Sequence, residues 1–418
     1  MRKVLLFFGV VLFLFIGACS VSENEQPKIN IDRLAYIDKL LEEESEAQNI
    51  SGAVAIVGVG GDIVYHEAYG YADIESGRKM KKDDIFRIAS MTKAITTVGI
   101  MMLYERGYFQ LNDPISKYLP VFRNPKVADS YSQDGLVSSM RAAKSEITIL
   151  HLLTHTSGIT YPFIQQPLQK TYRNAGVPDG LTSEAILLEQ GMQILAQQPL
   201  LFDPGINYAY GLNTDVLGYL IEVISGKSLD VFFNEEIFEP LGMIDTYFYL
   251  PGEKEKRLVT LYSEIDGVLT VSDGTEGDIK LGNPLYPIEG EKMYFSGGAG
   301  LSATARDYFI FLEMLRNHGS LDGVDILSRK SVELMSAGAV EFDWNRGSSF
   351  GLGFSVIEDL GKYGELGTLG SYSWGGAFNT SYWIDPSESV VAVLMSQSRP
   401  TSSDIGSKFQ TAFYQALK

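Results

Sequence analysis

The chain has 418 residues, of which 45% are hydrophobic, and its formal net charge is −18. This length and composition predict a substantial core in one large domain or two intertwined ones. The acidic balance, without a basic cluster, argues against a nucleic-acid partner. Cys19 is the single cysteine, so no disulfide bond can form within the chain.

The N-terminus has the pattern of a targeting segment. Arg2-Lys3 precede an apolar run, Val4 to Ile16, that is short for a membrane-spanning helix. The run ends in Ile16-Gly17-Ala18-Cys19, which resembles a bacterial lipoprotein cleavage box. We expect a signal peptide at residues 1–18 and a lipid on Cys19, followed by a polar tether to residue 30. The protein would then be anchored to a bacterial membrane in the cell envelope, at the outer membrane or in the periplasm. An ordinary signal peptide cut nearby is the alternative.

The first half of the mature chain alternates helical and strand patterns. Helices are predicted from Ile31 to Leu41, from Ser90 to Arg106, from Glu146 to His155, from Ser183 to Gln197 and from Asn213 to Ser225. A β-hairpin is predicted from strands Ala53–Val59 and Ile63–Tyr69. The segment 120–145 is predicted to be irregular, and the polar segment 250–291 to be an insertion.

The C-terminal part returns to a core pattern. Helices are predicted at Ser302–Asn317 and Asp404–Leu417, and strands at Gly351–Val356, Asn379–Ile384 and Val390–Met395. Hairpins at both ends of the chain indicate one antiparallel sheet built from both termini. We therefore predict an α+β fold, in which residues 31–120 and 292–418 form an α/β sandwich and residues 121–291 form an inserted helical part that shapes the substrate pocket.

The stretch Ser90-Met91-Thr92-Lys93 opens a predicted helix. Lys93 lies about one turn after Ser90 on the same helix face, so its amine can reach the serine proton. The helix N-terminus favours negative charge that develops nearby. Lys93 can take the proton only as the neutral amine, which burial would favour. The stretch therefore indicates an activated serine nucleophile. A second Ser-x-x-Lys at Ser76 to Lys79 lies in a polar turn and is interpreted as chance.

The stretch at Ser90 resembles the first motif of serine β-lactamases and penicillin-binding proteins. Further stretches resemble the class C β-lactamase and family VIII carboxylesterase branch, in the same order and spacing. They are Leu111-Asn112-Asp113-Pro114, His151 to Gly158, Pro204-Gly205, Tyr210-Gly211-Leu212 and Gly297 to Leu301. The resemblance covers the chain from about residue 30 and implies a β-lactamase/transpeptidase-like fold.

The resemblance also assigns a second motif. In the family, this motif begins with a tyrosine that precedes a helix. The match here is Tyr210, and Tyr208 is the nearest rival. Tyr210 would share the serine proton, pass it to the leaving group, and activate the water that releases the acyl group. Leu212 stands where the β-lactamases often have an asparagine, and we expect it to contact substrate.

The third motif is Lys-Thr-Gly in the β-lactamases, and its equivalent here is Trp374-Gly375-Gly376, as in the esterase branch. The lysine and threonine bind a substrate carboxylate, so an indole in their place indicates an apolar, uncharged acyl substrate. The family's oxyanion hole implies the backbone N–H groups of Ser90 and Ala377. The glycines let substrate approach the strand closely.

Two other patterns are interpreted as structural. Gly347-Ser348-Ser349-Phe350-Gly351 matches a nucleophile elbow, but no strand is predicted before it and no helix after it. His151 and His155 have metal-ligand spacing on a predicted helix, but no acidic partner completes a zinc motif. We therefore expect neither a metal nor another cofactor.

The sequence thus predicts a serine hydrolase that forms a covalent acyl-enzyme, most simply a carboxylesterase acting on small acyl esters. A β-lactamase or a D-amino-acid peptidase acting on cell-wall-type amides is the alternative enzyme. The alternative outside enzymes is a lipoprotein sensor that ligand acylates without turnover. The chain has Ser90, Lys93 and Tyr210, which an abandoned site would usually have lost.

Overall fold

The computed structural model describes residues 29–164, 167–276, 279–280, 283–341 and 346–418. The predicted signal peptide and Cys19 lie outside these residues. Within them, no helix is long and apolar enough to cross a membrane.

The helices alternate with short strands along the chain. The helices are α1 (Ile31–Glu46), α2 (Thr92–Glu105), α3 (Ile149–Leu153), α4 (Gln169–Asn174), α5 (Leu188–Ala196), α6 (Asn213–Ser225), α7 (Leu229–Phe233), α8 (Glu239–Leu241), α9 (Ala305–Arg316), α10 (Arg329–Met335), α11 (Leu360–Tyr363) and α12 (Ile405–Tyr414). The strands are β1 (Gly52–Val59), β2 (Asp62–Asp73), β3 (Arg78–Lys79), β4 (Phe86–Arg87), β5 (Lys126–Tyr131), β6 (Val137–Ala142), β7 (Thr246–Tyr247), β8 (Tyr262–Ile265), β9 (Val268–Val271), β10 (Thr275–Glu276), β11 (Ile279–Lys280), β12 (Ser302–Ala303), β13 (Ser320–Leu321), β14 (Val324–Asp325), β15 (Val340–Glu341), β16 (Ser348–Phe350), β17 (Ser355–Ile357), β18 (Tyr372–Gly376), β19 (Thr380–Asp385) and β20 (Val390–Met395).

The main sheet joins the two ends of the chain. Nine strands of the described chain form it in the order β15-β16-β17-β18-β19-β20-β1-β2-β3. Strands β1 and β20 pair antiparallel, so the N-terminal hairpin and the C-terminal hairpin meet at the centre. The predicted antiparallel sheet from both termini is confirmed, and with it the α+β class.

Both faces of this sheet are buried, and the alternation of side chains along the strands explains how. In β1, Ala53, Ala55 and Val57 face a core that α1 and α12 cover, while Val54 and Ile56 face the larger core on the other side. Successive side chains of a strand point to opposite faces, so β1 must be apolar throughout. This explains the uninterrupted hydrophobic run in the sequence.

The inserted part is less purely helical than predicted. Residues 120–145 are not irregular throughout, because β5 and β6 form a hairpin there. Most of the β6 side chains are exposed, so the segment lacks the buried face that makes a strand recognisable in a sequence. The polar insertion 250–291 likewise contains the hairpin of β8 and β9.

Several predicted boundaries also differ. The strand predicted at Gly351–Val356 is wrong, because most of that stretch forms the turn between β16 and β17. The helix predicted to start at Ser183 begins at Leu188, and α3 is shorter than predicted because it ends at Leu153. Asn213 does not cap α6 but is its first residue, with Leu212 at the N-cap position.

Helix α12 completes the smaller core, and Phe409 is its fully buried centre, with its ring 5.3 Å from that of Trp383. We predict that Phe409→Ala lowers the free energy of unfolding by about 3–5 kcal/mol, since it leaves a cavity between the helix and the sheet. Urea denaturation measures this change. Thr411→Ala, at an exposed position of the same helix, is the control and should be nearly neutral. An equal loss in both variants would contradict the assigned helix face.

Candidate active site

Ser90 lies in a tight turn between the sheet and α2. The turn Ala89–Met91 is a single 3-10 turn that runs directly into the helix at Thr92. Ala89 has a positive φ of 42°, which is strained for a residue with a side chain. Such strain persists where the surrounding structure holds it, and it is typical of functional sites.

Contacts from the segment 297–308 fix this turn. Thr96 on α2 donates a hydrogen bond to the Gly297 carbonyl at 2.6 Å, and the Thr92 hydroxyl accepts one from the Leu301 N–H at 3.1 Å. The Tyr308 hydroxyl donates to the Met91 carbonyl at 2.9 Å. The start of α2 is therefore held from two sides, which limits the movement of Ser90.

Lys93 is the buried base candidate beside Ser90. Its side chain is 1% exposed, and its Nζ lies 3.3 Å from Ser90 Oγ, 2.9 Å from the Tyr161 hydroxyl and 2.7 Å from the Gly298 carbonyl oxygen. An ammonium can donate to all three oxygens. A neutral amine donates two hydrogen bonds and accepts one. Only the hydroxyl groups of Ser90 and Tyr161 can donate the hydrogen bond that the amine accepts. The site can thus place a free amine against the serine proton.

Tyr161 is the residue of this cluster that the sequence analysis missed. It lies three residues after Gly158, just beyond the His151 to Gly158 motif, so its nearness to that motif was the available signal. Its ring stacks on Phe163 with centroids 4.6 Å apart. Burial raises the pKa of the Tyr161 hydroxyl well above its usual value, so the group is a neutral phenol that can exchange hydrogen bonds with Lys93.

Tyr210 lines the same cleft as Ser90. Its ring centroid is 4.6 Å from Lys93 Nζ, and its hydroxyl accepts a long hydrogen bond, 3.4 Å, from the indole N–H of Trp374. Tyr208 points elsewhere, with its ring packed against His155 and Phe350. The structure therefore places Tyr210, and not Tyr208, where it can act on a bound substrate.

Strand β18 forms the wall opposite Ser90. A Cβ on Gly376 would lie 2.4 Å from the Ile88 carbonyl oxygen, so the absence of a side chain lets the strand meet the turn that carries Ser90. Gly375, Gly376 and Ala377 line the cleft together with Ser90. The two backbone positions predicted for the oxyanion hole are thus brought to the same cavity.

The cleft has a volume of about 630 Å³, with Phe163, Ile164, Leu181, Trp374 and Phe378 in its walls. Such walls suit an apolar acyl or alcohol group. Leu212 is not among the lining residues, because it is fully buried in the larger core at the start of α6. The prediction that Leu212 contacts substrate is therefore wrong in this structure.

One pair of charged residues also lines the cleft. Burial raises the pKa of the Asp179 carboxyl, and the nearby Arg399 guanidinium acts in the opposite direction. Arg399 also lies over the Phe163 ring, 5.5 Å from its centroid. The guanidinium of Arg399 thus interacts with the Asp179 carboxyl group and with the face of the Phe163 ring.

The remaining candidates lie outside the cleft. Ser349, in β16, is buried and donates to the Glu358 carboxylate. His155 does not share a helix face with His151, because α3 ends at Leu153 and His155 has a φ of 53°. The Nδ1 atom of His155 bonds the Asn213 amide, and His151 caps the start of α3. Among the described residues, no group of three or more His, Cys, Asp or Glu side chains could hold a metal ion.

The comparisons with known proteins agree with this geometry. The family model described as Beta-lactamase matches residues 37–415. The chain belongs to this family. The resemblance inferred from the motifs is therefore confirmed.

Its relatives include esterases. The chain is 30% identical to esterase EstB of Burkholderia gladioli, over 86% of this chain and 89% of the relative. It is 28% identical to the lovastatin esterase of Penicillium rubens, over 85% and 91%. The solved structure of EstCE1, described as a hydrolase with promiscuous acyltransferase activity, matches with a TM-score of 0.82 and 29% identity, over 92% and 99%. The predicted fold and the prediction of an esterase-type serine hydrolase are confirmed at this level.

We predict that Gly376→Ala reduces ester hydrolysis about 10²-fold, because the new Cβ would force β18 away from the Ser90 turn, and displacements near 1 Å can cost this much. The measurement is kcat/KM with a chromogenic ester, beside a melting curve. Gly252→Ala is the matched control, since a Cβ there meets no atom within 4 Å. Full activity in Gly376→Ala would contradict the proposed close approach of strand and turn.

Proposed function

We propose that the protein is a carboxylesterase that hydrolyses small acyl esters through a covalent acyl-enzyme on Ser90. One observation supports this more than any other: Lys93 Nζ is buried and lies 3.3 Å from Ser90 Oγ at a cleft with apolar walls. A nucleophile and its base within reach of each other are the minimum that acyl transfer requires. The partner is then a small-molecule ester, or less favourably an amide.

In the first step, Ser90 Oγ attacks the acyl carbon while its proton moves to Lys93 Nζ. The carbonyl oxygen becomes an oxyanion, which the N–H groups of Ser90 and Ala377 would stabilise. The proton then reaches the leaving alcohol oxygen, with Tyr210 as the proposed carrier. The Tyr161 hydroxyl, 2.9 Å from Nζ, keeps the amine oriented while it gains and loses the proton.

In the second step, water releases the acyl group from Ser90. Tyr210 and Lys93 would take the proton of this water as it attacks and return it to Ser90 Oγ. The indole N–H of Trp374 supports this role, because its hydrogen bond fixes the position of the Tyr210 hydroxyl.

The third motif favours esters over β-lactams and peptides. Trp374 replaces a lysine that would bind a substrate carboxylate, and it presents an apolar face to the cleft. The cation in the described wall, Arg399, is opposed by Asp179. An uncharged acyl group therefore fits this cleft better than a carboxylate does.

We predict that the tether-free protein turns over a short-chain p-nitrophenyl ester, and that Ser90→Ala lowers kcat by a factor on the order of 10³ or more. Tyr210→Phe should lower kcat about 10²-fold or more, because it removes the proton carrier. Ser349→Ala is the control, since this buried serine also belongs to a nucleophile-like motif but lies outside the cleft.

Three other outcomes would count against the proposal. Turnover that survives Ser90→Ala but not Ser349→Ala would overturn the assignment of the nucleophile. A stoichiometric burst at Ser90 without turnover would favour the sensor. Faster hydrolysis of β-lactams or of D-amino-acid peptides than of esters would favour the alternative enzyme.

We also propose that the protein is a lipoprotein of the cell envelope, anchored through a lipid on Cys19. The support comes from the sequence: a charged start, a short apolar run and small residues before Cys19. The polar stretch to residue 30 would hold the hydrolase off the bilayer surface.

We predict that the full chain, expressed in a bacterium that processes lipoproteins, incorporates labelled palmitate and sediments with membranes. Cys19→Ser should abolish the labelling, because no other cysteine can take the lipid, and Ser20→Ala should retain it. Labelling that persists in Cys19→Ser, or a wild-type chain without label, would contradict the proposed anchor.

A further inference from the structure

A buried carboxyl group lies behind Lys93 and has no part in the steps above. Asp215 is on α6, five residues after Tyr210, and is 0% exposed. Its Oδ1 accepts a hydrogen bond of 2.5 Å from the Ser296 hydroxyl. Ser296 belongs to the segment that carries Gly297 and Gly298, so this bond ties α6 to the segment beside Lys93.

Gly298 joins Asp215 to the site of proton transfer. A Cβ on Gly298 would lie 2.4 Å from Asp215 Oδ2 and 3.2 Å from the Tyr161 hydroxyl. The carbonyl oxygen of the same glycine accepts the hydrogen bond of 2.7 Å from Lys93 Nζ. Asp215, Tyr161 and Lys93 therefore surround one residue, and a side chain at Gly298 would displace the carboxyl group.

The charges in this pocket are few. The groups that face Asp215 are Lys93 from α2 and the phenols of Tyr161, Tyr286 and Tyr294. Burial raises the pKa of each of the three phenols, so they stay neutral. Burial also raises the pKa of Asp215 to about 6, while the Ser296 hydroxyl and the positive charge of Lys93 oppose this rise. A nearby cation stabilises a buried carboxylate, and Lys93 is the basic side chain whose charge acts on Asp215.

We propose that Asp215 is a positioning residue for the Ser90 reaction, the counter-ion that stabilises Lys93 while it holds the serine proton. The inference rests on the proposed function. As Ser90 Oγ bonds the acyl carbon, its proton moves to Lys93 Nζ and later to the leaving-group oxygen. Asp215 neither gains nor loses a proton in this sequence, and its negative charge lowers the free energy of the ammonium.

Three separate segments meet at this point: α2 with Lys93, α6 with Asp215, and residues 296–298. Ser296 fixes the carboxyl group, Gly298 allows its approach, and the Gly298 carbonyl directs Nζ to Ser90. If Asp215 only tied α6 to the segment 296–298, its charge would be irrelevant to the reaction. A neutral residue of the same shape separates the two roles.

The test is Asp215→Asn, in which shape is kept and charge is lost. The rate of Ser90 labelling by a fluorophosphonate probe and kcat/KM for an ester are measured as functions of pH. Loss of the anion makes the Lys93 ammonium release its proton more readily. The acid limb, which is the low-pH side of the pH–rate profile, should therefore move to lower pH by about one to three units. The amine is then also a weaker base, so the maximal rate should fall about tenfold or more.

Asp307→Asn is the matched control. Asp307, on α9, is also buried, and burial raises its pKa as well. It accepts hydrogen bonds from the Asp245 N–H at 2.7 Å and the Thr246 hydroxyl at 3.0 Å and does not line the cleft. This variant should lower Tm and leave the acid limb in place.

An unmoved acid limb in Asp215→Asn, with any loss of rate matched by loss of folded protein, would overturn the inference. If that variant does not fold, Asp215→Glu decides, because it keeps the charge. Its acid limb should remain at the wild-type pH while its rate falls, and a limb displaced to lower pH would overturn the inference. A wild-type chain that neither labels at Ser90 nor hydrolyses esters would instead refute the proposed function.

Discussion

The burial of the Lys93 amine is the constraint on which the rest of the site depends. An amine that is withdrawn from water must find polar partners, and Nζ has three oxygens within 3.3 Å. These oxygens come from the Ser90 turn, from Tyr161 and from Gly298, which are far apart in the chain. The amine therefore bonds to α2, to the segment near residue 161 and to the segment near residue 298 at one point, and the contacts of Thr92, Thr96 and Tyr308 reinforce that arrangement.

The sheet gives this group its opposite wall. Because β1 from the N-terminal hairpin pairs with β20, the C-terminal strands are carried alongside the N-terminal third of the chain, and β18 is brought against the turn that holds Ser90. The cleft then lies between the start of α2 and β18. Ala89, next to the nucleophile, has a strained positive φ of 42°.

The sequence predicts the parts of this structure that follow a local pattern. The pair Ser90 and Lys93 and the two terminal hairpins have a spacing that follows from helix or strand geometry, whereas the glycines of the third motif are assigned by the family resemblance. Tyr161 and Asp215 follow no such pattern. Tyr161 bonds Lys93 across 68 residues of chain, Asp215 interacts electrostatically with it across 122 residues, and no periodicity marks either. Leu212 shows the opposite error. Its place in a motif indicated a binding role, but the apolar side chain is buried in the core. Full removal of its surface from water stabilises the fold more than partial burial at a cleft wall would.

The family resemblance places Trp374 where the β-lactamases have a lysine, and an indole in place of an amine would change both the charge and the proton chemistry of the site. A lysine at this position would add a second cation near Lys93, and a like charge disfavours the ammonium that forms during acylation. With the indole there, this position of the cleft wall offers no charge to a substrate carboxylate, and the proposed partner of the Lys93 ammonium is the Asp215 carboxyl group. The indole N–H at the same time holds the Tyr210 hydroxyl. The proposed selectivity for uncharged esters thus rests on the indole of Trp374, and the proposed counter-ion role rests on the buried carboxyl group of Asp215.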